Sequence, residues 1–587
     1  MESKIDLTEL FASDEKFLEG IEEANKLIKE IPKYEGHLYD SAEKLYEFLN
    51  YDVKLSKLIE RLYLYAHINS DLDMSNTKYQ EYVGKVINLF NEIGELTSFA
   101  TAELLEKDYD YFLSLVNDYP ELEEFKINMK KLFRAKRYIK SKEEEKLISI
   151  LTSSYGKPED ISELLINTDL SYGTIKDENG NEVELTNSNF STYLESSNRD
   201  VRKAAFDKMY DEIKAHENTF GAIFGTEILN NNKLAKIRGF DSAREYSLYS
   251  NDIDNKIYDE LINGVHNNLD RFYEYYKFKK EVLGLDEMHL YDTYASIVKD
   301  FDKKYSYEEA KQIVIESLKP LGEEYSKLLK RAFDENWIDS RIIKTKRSGA
   351  YCTHCYDTHP YVVLSYEGKV NDISTIVHEL GHAMHSYYSI SNNKYQDSDY
   401  SIFVAEVASQ VNEILLTDYL LKNTDDKEEK KYLLDLMLQR FKATILRQTM
   451  FAEFEDILHK LENKGEVLTK DLITNEYYKL NELYFGKDVI VDNKIKYECF
   501  RIPHFYMNFY VYQYSTGYIA AMKIAIDILN GKEGAVENYI EFLKLGSTKD
   551  PVSELKEANV DMTDVKVYDE VFDVFEKRLN ELRCLYE

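Results

Sequence analysis

Helix breakers are scarce in this chain, and that constrains its fold more than any other feature. Only 7 prolines and 22 glycines punctuate 587 residues. Proline is about 1% of the chain against a usual ~5%, and glycine about 4% against ~7%. A mainly helical protein is expected. At ~150 residues per domain the length allows about four domains, or fewer large ones with sizeable cores. Apolar residues at 43% and aromatics at 13% exclude a disordered chain.

Charge narrows the function. Asp and Glu outnumber Lys and Arg by 108 to 75, a net charge of −33 spread along the chain. A nucleic-acid binder needs a basic footprint to displace counterions from phosphates, so no nucleic-acid partner is expected. The same balance excludes a polybasic membrane-surface protein. The most apolar stretch, Tyr518 to Leu529, is interrupted by Lys523 and Asp527, so no transmembrane helix is expected. The N-terminus lacks a basic region followed by an apolar run. Four cysteines form no disulfide framework, and a reducing, cytoplasmic location is expected. A monomer fits the sequence, which leaves the oligomeric state open.

Along the chain, residues 1 to about 110 carry apolar residues at helical spacing, as in Ala42–Leu49 and Leu55–Ala66. Residues 174–185 read as a small hairpin, with Asn179-Gly180 as a two-residue turn. Helical patterning resumes by Asn198. These breaks divide the chain into an N-terminal helical domain, 1–190, and a larger mainly helical domain, 191–587. A second punctuated stretch, 347–372, contains one strand at 361–366, in a small sheet, before the pattern turns helical.

The next helix carries His378-Glu379-Leu380-Gly381-His382. Residues four apart lie one turn apart on one helix face, so both imidazoles can meet one ion, and two imidazoles suit zinc. Glu379, about 100° round the turn, can reach water beside the ion and act as general base. With 12 histidines in the chain, about 0.03 such strings are expected by chance. Gly381 lets another backbone come close. Asn371, Asp372 or Ser374 would cap the helix. A third ligand is needed. His385 and Tyr388 stand where the metzincin pattern requires Gly and His, which excludes that class. The gluzincin alternative needs a Glu on a second helix. Residues 402–416, IFVAEVASQVNEILL, offer Glu406 in an apolar setting where a lone carboxylate would be costly, with Glu413 two turns on as competitor.

These motifs, with Arg347-Ser348-Gly349-Ala350-Tyr351-Cys352 and Arg501-Ile502-Pro503-His504-Phe505-Tyr506, resemble the thimet oligopeptidase (M3) family of zinc peptidases, in its oligoendopeptidase F branch. The resemblance spans most of the chain, with its specific motifs between about 345 and 520. It implies a mainly α, two-lobed helical fold of the gluzincin, neurolysin-like kind, with a deep channel and a small β-sheet near the active site. It implies one zinc ion on His378, His382 and Glu406, with Glu379 as general base. It implies short unfolded peptides as substrates, touched by the Gly349-Ala350 loop. His504 matches the family's C-terminal His, which is followed by tyrosines contacting substrate and intermediate. The family's tyrosine spacing is not reproduced without a gap. Tyr510 and Tyr514 are the choices here, with Tyr506 as a substrate contact and Tyr512 as an alternative. Tyr506, Tyr510 and Tyr514 are four apart, so one helix face would align them as donors to the developing oxyanion. With 49 tyrosines in the chain, such a stripe is also what ordinary core looks like.

Weaker features remain. The strand 361–366 offers an edge for a peptide. Cys352-Thr353-His354-Cys355 with His359 is a lone CxxC that would suit a second metal. His385 lies near the site face as a contact or a packed residue. The expected function is a zinc endopeptidase cleaving short oligopeptides. The alternatives are a zinc carboxypeptidase or dipeptidyl carboxypeptidase on a related scaffold, which needs a group to capture the terminal carboxylate, a non-catalytic peptide binder, and a helical scaffold with an accidental motif.

Overall fold

The computed structural model describes residues 3–298 and 303–587. Helices dominate, and the described strands form three small sheets. Chain contacts group into two compact units, each assembled from stretches distant in sequence. The first comprises Met1–Ile139, Asp302–Leu420 and Ile524–Asn559, and the second Lys140–Phe301, Leu421–Lys523 and Val560–Glu587. None of these limits falls at 190. Compact units follow from which faces pack together, and breaker positions along the chain carry no record of that. Among the described residues, no helix is long and apolar enough to cross a membrane.

The helices that position functional residues are α1 (Ala42–Leu72), α2 (Glu217–Arg238), α3 (Val370–Asn392), α4 (Ile402–Asn423), α5 (Arg447–Asn463) and α6 (Tyr512–Leu529). The strands that bear on the argument are β1 (Thr174–Lys176), β2 (Glu182–Glu184), β3 (Ile338–Asp339), β4 (Tyr351–Thr353) and β5 (Tyr361–Val363), while Met288–His289 and Val489–Ile490 pair in the remaining sheet.

In the first unit, the two apolar stretches near the N-terminus are one 31-residue helix, α1, capped by the Ser41 hydroxyl. Leu45, Phe48, Leu55, Ile59 and Leu62 recur at helical spacing and are buried. Helix α3 starts at Val370 with Lys369 at its cap position, so the three expected caps lie inside the helix, and it is Asp372 that braces the first turn. Its carboxylate accepts the Glu367 and Lys369 amides, each at 2.9 Å. Gly368 takes φ +88 just before this helix, where an added Cβ would lie 2.9 Å from the Tyr305 carbonyl oxygen.

The three-stranded sheet has the order β3-β5-β4. The expected strand at 361–366 is therefore its centre, parallel to β3 and antiparallel to β4 through Cys352↔Val362. Neighbours occupy both of its sides, so it has no edge for a peptide. The edge strand on this side is β4, which follows the Gly349-Ala350 loop. The pairing of β3 with β5 joins residues more than twenty apart in sequence, which a strand's own pattern does not reveal.

In the second unit, β1 and β2 form the expected hairpin, with Gly180 at φ +82. The turn is longer than two residues, because Lys176 pairs with Glu182. Asp177 organises it by accepting the Asn179 and Asn181 amides at 2.9 and 2.8 Å. Helices α2 and α5 are joined where Asn232 donates to the His459 carbonyl at 3.0 Å.

Candidate active site

Helix periodicity puts His378 and His382 on one face of α3, and their Nε2 atoms lie 3.2 Å apart. Glu406 on α4 brings Oε2 to 3.5 Å from each of them. Among the described residues, this is the one group of three whose ligand atoms cluster as a metal cage would require. A tetrahedral ion bonded at ~2.0–2.1 Å to nitrogen and oxygen spaces its ligands about 3.3 Å apart, and these three atoms have the spacing of one face of such a tetrahedron. The donor set, two imidazoles and a carboxylate, suits zinc.

Gly381 explains how Glu406 gets there. A Cβ at this position would lie 2.5 Å from the Ser409 Cα and 2.7 Å from the Ala408 carbonyl oxygen. Any side chain would push α4 away. Close approach then lets Asn412 donate to the Val377 carbonyl at 3.2 Å, while Tyr325 donates to Asn412 at 3.1 Å. Ser409 donates to the Glu406 carboxylate at 3.0 Å and restricts its rotamer.

Glu406 and Glu413 are not interchangeable in this arrangement. Glu413 Oε1 lies 3.3 Å from the opposite nitrogen of His378, Nδ1, and also accepts from Ser374 at 3.4 Å. An Nδ1–H held by a carboxylate leaves the Nε2 lone pair directed at the cage. Burial opposes an imidazolium at His378, yet the hydrogen bond and charge of Glu413, with Glu406 and Glu379 beyond, raise its pKa. Burial also opposes a carboxylate at Glu406, but the His382 hydrogen bond and the charge of both imidazoles pull its pKa down to about 2. Positive charge is thus favoured between these three side chains.

Glu379 is buried, with 6% of its surface exposed. Burial pushes its carboxyl pKa up against the opposing charge of His378 and His382, and Glu406 adds to the rise. A carboxylate moved toward neutrality is a better proton acceptor than an exposed one.

The loop before β4 is anchored by a residue the sequence did not single out. Asp71 on α1 accepts from the Tyr351 hydroxyl at 2.8 Å and pairs with Arg347 at 3.4 Å, while the Arg347 amide donates to the Asp71 carbonyl at 2.8 Å. Gly349, at φ +92 with open space around it, and Ala350 lie between these anchors. Lone Asp residues on helices are common, and only the long-range pairing distinguishes this one.

His385 is packed. It is 1% exposed and stacks on Tyr400 at 3.8 Å between ring centroids, and burial pushes its pKa down to about 3. The CxxC residues form no cage among the described residues. Cys355 contacts the Thr358 hydroxyl at 3.4 Å, and His359 stacks on Trp337 at 4.9 Å.

In the second unit, the 504–514 tyrosines depart from the expected single helix. A short 3-10 turn, Pro503–Tyr506, is followed by left-handed backbone at Asn508 (φ 42) and Phe509 (φ 59), and α6 starts only at Tyr512. Tyr506 is therefore separated from the others. It sits 5.9 Å from the Phe224 ring and lines a cavity of about 110 Å³ with Glu159, Ser162, Asn187 and Arg501. The break still brings His504, Tyr510 and Tyr514 together. The Tyr514 hydroxyl is 3.4 Å from His504 Nε2, the Tyr510 and Tyr514 rings are 5.3 Å apart, and His504 stacks on Tyr510 at 6.4 Å. Tyr512 is fully buried and points elsewhere, against Tyr258.

Known proteins resemble this chain over nearly its whole length. Residues 192–574 match the family model for peptidase family M3, and residues 103–172 match the model for oligopeptidase F. The chain is 40% identical to oligopeptidase PepF of Bacillus subtilis, over 99% of this chain and 86% of that protein. It is 38% identical to group B oligopeptidase PepB of Streptococcus agalactiae, over 99% and 96%. The crystal structure of oligoendopeptidase-F from Enterococcus faecium superposes with a TM-score of 0.75 at 34% identity, covering 98% of this chain and 99% of that one. With a family match over most of its length and the HExxH helix near the centre of that match, the chain belongs to peptidase family M3, together with the oligopeptidase F proteins.

Proposed function

We propose that this protein is a zinc-dependent endopeptidase that hydrolyses internal bonds of short, unfolded oligopeptides. The observation that carries the reading is the triangle of His378 Nε2, His382 Nε2 and Glu406 Oε2, with the buried Glu379 on the next residue of the same turn. Names of the relatives, oligopeptidase and oligoendopeptidase, support short peptides and internal cleavage. A single zinc ion is assigned to the three side chains. Four unpaired cysteines support a reducing, cytoplasmic setting.

When bound, the ion supplies Lewis acidity, which acidifies water and polarises the scissile carbonyl. His378 and His382 would hold it as neutral imidazoles beside Glu406, with Glu413 keeping the His378 proton on Nδ1. Glu379 takes the proton of the attacking water on its carboxylate and returns it to the leaving amide nitrogen. His504, Tyr510 and Tyr514 are assigned to donating hydrogen bonds as negative charge builds on the carbonyl oxygen. The Gly349-Ala350 loop and edge strand β4 are assigned to the substrate backbone, and Tyr506 to a substrate side chain.

An internally quenched short peptide blocked at both ends tests this reading. Internal cleavage that a zinc chelator abolishes and added zinc restores is expected. Trimming of free C-termini, with the blocked peptide left intact, would instead establish a carboxypeptidase.

A further inference from the structure

The turn that gathers His504, Tyr510 and Tyr514 uses backbone that ordinary side chains avoid. Asn508 and Phe509 are consecutive and both left-handed, at φ 42 and 59, and neither is glycine. Such conformations persist only where the surroundings hold them. Two contacts do so. Glu455 on α5 accepts the Phe509 amide at 2.6 Å, and Ser247 donates to the Asn508 carbonyl at 2.9 Å. The Phe509 ring is seated between Tyr258, at 5.7 Å, and His459, at 4.7 Å. His459 lies one turn beyond Glu455 on the same helix, so α5 holds both the amide and the ring.

We propose that Glu455 is a positioning residue for catalysis: by accepting the Phe509 amide it fixes the left-handed turn that sets Tyr510 beside His504 and Tyr514. Glu455 is 2% exposed and reaches no substrate itself. Its carboxyl is pushed up to about 8 by burial, with Asp456 and Glu227 adding to the rise against the Phe509 amide. A buried acid kept at this cost on a core helix, and spent on one backbone amide of a strained turn, is more than filling requires. An amide side chain of the same length would serve equally, because the bond needs only an acceptor. The inference rests on the reading that His504, Tyr510 and Tyr514 act on the scissile carbonyl.

The test compares Glu455→Ala, Glu455→Gln and Tyr510→Phe on the blocked quenched peptide, with zinc content and unfolding midpoint measured for each. Loss of the hold is expected to displace the donors by about an ångström and lower kcat roughly 10- to 100-fold in Glu455→Ala. KM and zinc content should change less than about threefold, since the fault lies in transition-state contacts. Glu455→Gln should recover kcat to within about threefold of the parent. Should Glu455→Ala fail to fold, Ser247→Ala removes the other hold and should lower kcat by about threefold or more at constant KM. An unchanged kcat in Glu455→Ala or, failing that, in Ser247→Ala, alongside an impaired Tyr510→Phe, would overturn the positioning role while sparing the tyrosines. A Glu455→Gln variant as slow as Glu455→Ala would overturn it too. Full activity of Tyr510→Phe would refute the reading of the cluster, and the positioning role with it.

Discussion

The α3–α4 pair and the 503–514 segment both gather side chains proposed to handle protons or a metal, but they do so by opposite means. On α3 and α4 the functional atoms fall where helix periodicity puts them. His378 and His382 are one turn apart, and Glu406 and Glu413 are two turns apart on the facing helix, one on each side of the His378 ring. Around His504 the regular helix is interrupted, and a left-handed turn supplies the convergence. Regular geometry needs only close packing to hold it. Irregular geometry needs explicit partners, and here these are Glu455 and Ser247.

That contrast predicts unequal consequences of substitution. The largest concerns Glu379. Glu379→Gln should keep the metal and lose ~10³-fold or more in kcat, about 4 kcal/mol of transition-state stabilisation. Full activity would remove Glu379 from the mechanism. Next is Gly381→Ala, which places a methyl group 2.5 Å from the Ser409 Cα. Backbone cannot swing aside as a side chain does, so a loss of about 3 kcal/mol in denaturant unfolding and weaker metal retention are expected. A neutral outcome would mean that α4 yields easily and that the close approach is incidental. Tyr514→Phe should cost less, ~10- to 100-fold in kcat at unchanged metal content, because one donor of several is lost. An effect on KM alone would make the tyrosine a binding contact and blur the contrast between the two regions.

How much the sequence revealed follows the same division. Scarce breakers announced a helical chain, and the HExxH spacing announced the α3 face. Glu406 and Glu413 were both visible as carboxylates on one face of an apolar helix. The apolar setting and the resemblance favoured Glu406, but the contact of Glu413 with His378 Nδ1 left no sequence signal, because it depends on how deeply α4 settles against Gly381. The Asp71 anchor of the 347–351 loop depends on pairing across hundreds of residues, which leaves no local pattern. The same holds for the central place of β5. The tyrosines at 506, 510 and 514 misled in a different way. Their spacing is helical, yet Asn508 and Phe509 adopt φ values that a helical reading does not anticipate. Asn before the break was the one available hint, since Asn tolerates left-handed backbone better than most residues.

The most direct test of the account is bound metal per chain in Glu406→Ala and Glu413→Ala beside the parent protein, measured after removal of loosely held ions. The account predicts one zinc ion in the parent, none in Glu406→Ala, and an ion held ~10- to 100-fold more weakly in Glu413→Ala. A Glu406→Ala protein that retains its zinc while Glu413→Ala loses it would contradict the assignment of the cage.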